Sequence, residues 1–276
     1  MKPAELSYTR PATLSEALAT LHRHGDEARA IAGGQSLGPM LNLRLVQPKQ
    51  LVDISRLEGL RKAAMEGGIL AIGACVTHAE IEDGVSADVT RGLMPHVARG
   101  IAYRAVRNRG TIGGSMAHAD PAADWLTTMI AMDAALRLSR SDGSRQIKVA
   151  DFVRGALHTA ISDGEIITQV LLPRLGSDAR WGYAKYAKKP GDFAQSLAVA
   201  VVDPKRNLAR VVLGRRAEPP ALLRELSRLL TANPRPPPQD ALRQAVEADL
   251  NDAKVDANDR TMHRAIVERA ARGLSA

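Results

Sequence analysis

Apolar positions along the chain switch between helical and alternating spacing, and the switches mark out the expected elements. Leu14, Leu18 and Leu21 share one helical face behind the capping box Thr13-Leu14-Ser15-Glu16, and Gly25 closes that helix. Apolar runs at Ala28 to Ile31 and Leu51 to Ile54 read as strands, and Pro39 leaves room for only a delayed or short helix after Ser36. Leu60 to Met65 and Ile69 to Gly73 flank Glu66-Gly67-Gly68, a hairpin signal. Thr77-His78-Ala79-Glu80 is a second capping box. Val89, Leu93 and Val97 form another helical face, which Pro95 is expected to disturb. Asp120 then Pro121 reads as an N-cap and first helical residue, opening a helix from Ala122 to Met132.

Further on, Ala135 to Ser139 and Gln146 to Val149 form a hairpin, and Ile166 to Leu172 is a strand stopped by Pro173. The polar stretch Arg174 to Ala179 is the expected domain boundary. Beyond it come a hairpin, Ser196 to Val202 with Leu208 to Leu213, and three helices: Ala221 to Leu230, Ala241 to Leu250 and about Arg260 to Arg272. Pro234 to Pro238 breaks the first two of these, and Asp256 or Asn258 caps the last.

Two stretches stand out chemically. Thr111-Ile112-Gly113-Gly114-Ser115 precedes the helix opened by Asp120, and Ala32-Gly33-Gly34-Gln35-Ser36 follows the strand ending at Ile31. Adjacent glycines leave backbone N–H groups uncovered and permit left-handed turns that aim several of them at one point, an anion-binding nest. One such turn is ordinary; two suggest a ligand with two phosphates.

Length and composition narrow the field. A chain of 276 residues points to two or three domains, and 45% hydrophobic residues support a sizeable core filled mostly by aliphatic side chains. The lone Cys75 excludes an internal disulfide and a self-contained iron–sulfur cluster or zinc ribbon, and fits a reducing cytoplasm. The N-terminus lacks signal-peptide character, and no apolar run reaches the roughly 18 residues of a membrane span. The charge of +8 is spread out, without the aromatic-interleaved basic runs of nucleic-acid binders.

Gly34-Gln35-Ser36-Leu37-Gly38 matches a serine-hydrolase elbow, with Asp124 and His158 following in hydrolase order. Only 35 residues precede Ser36, too few for the strands and oxyanion loop of that fold, and the second glycine stretch is left idle. His118, Asp120 and Asp124 are weak metal ligands, since Asp120 is better used as a cap. Neither glycine stretch has the G-x-G-x-x-G spacing of a Rossmann dinucleotide site. Lys185 to Ala194 puts basic and aromatic groups on a turn: either a solvated loop with a buried Phe193, or a lid over a flat, electron-rich ring.

Together these residues resemble the flavoprotein (medium) subunit of the molybdenum hydroxylases, carbon monoxide dehydrogenase medium-chain type. That family carries A-G-G-x-S near residue thirty, T-I-G-G-N followed by A-D-P-x-x-D, and K-x-G-D-[YFW]-A. Here they stand as Ala32 to Ser36, Thr111 to Ser115 with Ala119 to Asp124, and Lys189 to Ala194. Asp53-Ile54 and Gly73 to His78 also fit. Ser115 replaces the usual asparagine, Gln35 a common histidine and Phe193 a frequent tyrosine. The resemblance implies an α+β fold: a two-lobed FAD-binding domain of the vanillyl-alcohol-oxidase kind (lobes 1–55 and 56–175) and a C-terminal sheet-plus-helices domain (176–276) over the flavin. It implies that backbone amides of Ala32, Gly33, Gly34, Gln35 and Ser36 and of Thr111, Ile112, Gly113, Gly114 and Ser115 hold the FAD pyrophosphate. Asp124 would take a ribityl or ribose hydroxyl, and Lys189 and Phe193 would lie near the isoalloxazine. It implies a large molybdenum-cofactor subunit and a small [2Fe-2S] subunit as partners, in a dimer of heterotrimers. A bridging scaffold without cofactor is the remaining alternative.

Overall fold

The computed structural model describes residues 2–85, 87–232 and 237–275. Among the described residues it builds three main sheets in chain order, each with its own helices, besides one two-stranded pair.

The first sheet is parallel, with strands β1 (Ser7–Thr9), β2 (Ala28–Ile31) and β3 (Gln50–Asp53) in the order β1-β3-β2. Helix α1 (Leu14–His24) begins where expected: the Thr13 hydroxyl accepts the Glu16 N–H at 3.2 Å, and the Glu16 carboxylate reaches back to the Ala12 N–H at 2.9 Å. Its buried face is Ala17, Leu18 and Leu21. Helix α2 (Leu37–Asn42) is short, and Pro39 sits in its first turn, where no intrahelical N–H is needed.

The second sheet is antiparallel. Strands β4 (Ala63–Glu66) and β5 (Ile69–Gly73) pair across Gly67-Gly68 as a hairpin. Helix α3 (His78–Glu82) opens with both bonds of the Thr77–Glu80 capping box in place. Helix α4 (Leu93–Arg99) tolerates Pro95 because it starts only at Leu93, so the proline again lies in the first turn; the expected disturbance is absent. Helices α5 (Arg104–Arg107), α6 (Ile112–His118) and α7 (Asp124–Ala131) follow, then hairpin β6 (Ala135–Arg140) and β7 (Gly143–Lys148). A short helix α8 (Val149–Phe152), a small hairpin β8 (Val153–Gly155) with β9 (His158–Thr159), and strand β10 (Ile166–Pro173) complete it, in the order β4-β5-β10-β6-β7.

Two expectations here need correcting. Thr111 to Ser115 is the first turn of α6, not a free glycine turn. The helix expected from Ala122 starts at Asp124: Asp120 Oδ1 accepts the Ala122 N–H at 2.9 Å in a turn of its own, and Ala119 takes a left-handed φ of 49° that ends α6 first. One polar side chain capped a local turn instead of the helix.

The third sheet joins β11 (Arg180–Tyr186), β12 (Ser196–Asp203), β13 (Leu208–Arg215) and β14 (Ala221–Leu222) antiparallel in that order. Helices α9 (Arg224–Ala232), α10 (Gln239–Asp252) and α11 (Ala257–Arg272) cover one face, with Asp256 capping α11 by accepting the Asn258 N–H. Ala221 and Leu222, expected to begin a helix, pair with β13 instead. Of the expected proline break, Pro237 and Pro238 precede α10, and Asn233 to Pro236 lie outside the described residues.

Strand β12 is buried along its whole length. Leu197, Val199 and Val201 join the cluster around Trp125, Met129 and Leu136; Ala198, Ala200 and Val202 join the cluster of the last helices. One strand thus lies between α7 on one side and α9 to α11 on the other, and two cores share it.

Candidate functional site

The first glycine loop leaves β2 where the Ile54 N–H donates to Ile31 O at 3.0 Å, and it turns into α2 through Gly34, at a φ of +70°. Among the described residues, the amides of Gly33, Gly34, Gln35 and Ser36 donate to no acceptor of the chain. Four consecutive uncommitted N–H groups on a half-exposed loop form an anion cradle. Gly33 is required by close approach: a Cβ there would overlap the carbonyl oxygen of Arg109 and lie 2.9 Å from Gly110 Cα. The first loop is therefore seated on the residues that lead into the second glycine stretch. The two stretches, 75 or more residues apart in sequence, are brought together.

The second stretch contributes differently. The amides at 112–115 all donate within the chain: Ile112 to Val76 O, Gly113 to Ala74 O, Gly114 to the Thr111 hydroxyl and Ser115 to Thr111 O. Gly113 is needed for packing, since a Cβ would fall 2.7 Å from Ala74 O. Gly114 is exposed and Ser115 half-exposed, so this turn offers bare backbone and one hydroxyl.

Behind it lies a buried pair. The Trp125 indole N–H donates to His78 Nδ1 at 3.1 Å, and the His78 backbone N–H donates to Gly110 O at 2.9 Å. Burial, with the nearby positive charge of Arg107, holds the His78 pKa down at about 4. The neutral ring therefore stabilises the fold above its unfolded pKa near 6.5, and this contribution is lost as pH falls toward 4. Imidazole NMR shifts of His78 should stay flat between pH 8 and 5 (about the range other histidines titrate over); a midpoint near 6.5 would contradict the buried pair.

Asp124, expected at a ligand hydroxyl, is 4% exposed at the start of α7. Its Oδ1 accepts from the Tyr183 hydroxyl at 2.5 Å, and the Lys185 ammonium lies 3.0 Å from both carboxylate oxygens. Burial raises its pKa, and Lys185 opposes the rise. Tyr183 was not among the residues singled out from sequence, and Lys185 was read only as the start of the basic and aromatic turn, whereas it lies in β11. Their only sequence signal is the alternation of Trp181, Tyr183 and Lys185 along one strand face.

The loop between β11 and β12 carries Lys189 and Phe193. It is pinned at Gly191, with a φ of +85° and a mutual approach to Ala102, whose N–H donates to Gly191 O at 3.1 Å. A second bond runs from the Ala194 N–H to Ala122 O at 3.2 Å. Phe193 is 59% exposed, which corrects the reading of a solvated loop with that ring buried. Tyr103, next to Ala102, is exposed as well.

The hydrolase constellation does not assemble. The Asp124 carboxylate is taken up by Lys185 and Tyr183, and neither Ser36 Oγ nor the His158 ring bonds the other among the described residues. Asp120, weighed as a metal ligand, accepts from Ala122.

An uncovered amide run, pressed against a second glycine stretch in a three-sheet α+β frame, defines a protein built to hold a diphosphate-bearing cofactor. Comparison with known proteins specifies which. Residues 4–175 match the family described as FAD binding domain in molybdopterin dehydrogenase. The carbon monoxide dehydrogenase medium chain of Afipia carboxidovorans is 32% identical over 98% of this chain and 98% of its own length. The glyceraldehyde dehydrogenase medium chain of Sulfolobus acidocaldarius is 40% identical over 73% of this chain and 71% of its own. The structure of carbon monoxide dehydrogenase from Hydrogenophaga pseudoflava superposes with a TM-score of 0.91 at 29% identity, covering 99% of this chain and 98% of that one. The chain belongs to the FAD-binding family of the molybdenum hydroxylases: it is an oxidoreductase subunit, and its cofactor is FAD.

Proposed function

We propose that this chain is the electron-transfer subunit of a molybdenum hydroxylase complex. Substrate is oxidised at a molybdenum cofactor in a large partner, electrons cross [2Fe-2S] clusters in a small partner, and they leave through this chain to an external acceptor. Bound FAD supplies the redox chemistry; the residues of this chain hold, orient and shield it. The observation that carries the reading is the run of uncommitted amides from Gly33 to Ser36.

In this reading those amides grip the pyrophosphate, with Gly114 and Ser115 allowing its close approach. Asp124 serves through Lys185, and Lys189 and Phe193 lie over the ring. Cys75 donates to Ile54 O and burial pushes its thiol up to about 12, which supports placing the clusters in the partner. The relatives named above are called dehydrogenases of carbon monoxide and of glyceraldehyde, so the same subunit type serves unlike substrates and the substrate belongs to the large partner. Each sheet closes within one of 1–55, 56–175 and 176–276, which supports that division into two lobes and a covering domain. Assembly as a dimer of heterotrimers and residence in the cytoplasm complete the proposal.

The purified chain should show flavin absorption bands, or gain them on incubation with FAD. A colourless chain that takes up no FAD would reject the assignment.

A further inference from the structure

A cavity of about 280 Å³ opens beside the first glycine loop, and Gly34 forms part of its wall. Its other wall groups include three guanidinium-bearing residues, Arg10, Arg56 and Arg109, against a single carboxylate, Asp53. That carboxylate is already saturated. Its Oδ1 accepts the Ser55 N–H at 2.9 Å, and its Oδ2 accepts from Arg10 Nε at 3.0 Å and from the Tyr8 hydroxyl. Arg10 is thereby neutralised in place. Arg56 and Arg109 are exposed, and neither has a partner among the described residues. Elsewhere on the chain Arg104, Arg107, Arg137 and Arg145, by contrast, are tied to carboxylates.

Their backbones are fixed. The Arg109 carbonyl lies under Gly33, so the residue bearing that side chain is held against the uncommitted amides. Arg56 follows Ser55, whose N–H is locked to Asp53 at the end of β3. Two free cations on rigid backbone flank four free N–H donors, and the cavity carries an excess of positive charge. An anion of two charges is the complement of that wall.

We propose that Arg56 and Arg109 form a cationic clamp on the diphosphate and adenylate end of FAD, added to the amide cradle by side chains that lie outside the glycine motifs. This rests on the FAD reading above. The clamp accounts for how loops with little side chain of their own retain a dianionic group: the amides set direction, and the two guanidiniums neutralise charge.

The test is FAD binding to the full-length apoprotein, followed by flavin fluorescence quenching at low and high salt. Arg56→Gln and Arg109→Gln should each weaken FAD about tenfold, the scale of a charge-assisted hydrogen bond. The double variant should weaken it by about a hundredfold and flatten the salt dependence. Arg109→Lys should restore part of the affinity, and the apoprotein melting temperature should not move, because neither residue holds the fold together. Binding within twofold of wild type in the double variant overturns the clamp. So does weakened binding with an unchanged salt slope and a lowered apoprotein melting temperature, which would mark a structural role. A wild-type apoprotein that binds no FAD at all would instead sink the cofactor assignment.

Discussion

Gly33→Ala should strip FAD from the purified protein. A methyl group at that position overlaps the Arg109 carbonyl and crowds Gly110, and both obstacles are backbone, so no side chain can swing aside. The loop must lift off its seat. Overpacking of this kind costs about 1–3 kcal/mol, but the larger effect is functional, because the same shift moves the amides of Gly33 to Ser36 out of alignment. Gly34→Ala is the informative contrast. Its Cβ would meet only the Ile31 side chain at 3.4 Å, and its penalty is the left-handed φ of +70°, about 1–2 kcal/mol. FAD occupancy, read from the ratio of visible to ultraviolet absorbance, should fall to near zero in Gly33→Ala and only partly in Gly34→Ala. Full occupancy in Gly33→Ala would show that the seat on Arg109 has nothing to do with the cofactor.

Lys185→Met should be the most destabilising single substitution at the site. Asp124 is buried at the foot of α7, and Lys185 is its only cationic partner among the described residues. Removing that partner leaves a buried carboxylate uncompensated, which costs about 3–5 kcal/mol. The loss has a pH signature. Burial already raises the Asp124 pKa, so its contribution to stability is full at acid pH and is lost as pH rises through the folded value. Without Lys185 opposing it, the pKa climbs further. The stability gap between variant and wild type should therefore be widest at neutral pH and should narrow toward pH 5 (roughly the acid limit for a stable fold). Urea unfolding at the two pH values measures the gap directly. Adding Asp124→Asn to Lys185→Met should recover part of the loss, since the stranded charge is then gone. A gap that is constant with pH would show that the lysine acts through packing alone.

How much of this was legible in the sequence depends on the range of each interaction. The caps of α1 and α3 involve residues three or four apart, and both stood where Thr13 and Thr77 announced them. The family motifs were legible for the same reason. Strand β11 was not. Its inward positions are Gly182 and Ala184, small because α11 packs flush against them: a Cβ on Gly182 would overlap Ala270 O. These small residues carry no hydrophobic signal, and the opposite face, Trp181, Tyr183 and Lys185, ends in a charge, so the segment does not read as an apolar alternation. Helix α6 was misread for a related reason. Glycines at 113 and 114 argue against a helix by propensity, yet Thr111 caps the turn and Ala74 demands the missing side chain. Asp124 was recognised as important, but its partners stand 59 and 61 residues away, and no local pattern announces such pairings.

The burial of β12 on both faces bears on where this protein can be cut. The match to the cofactor-binding family ends at residue 175, but the packing does not. A fragment stopped there would lose Leu197, Val199, Val201 and Val212 from the wall facing Trp125 and Met129, leaving a greasy scar along α7. Recombination that shuffles this module must carry the last hundred residues along, for the piece a family model recognises is not the piece that stands alone.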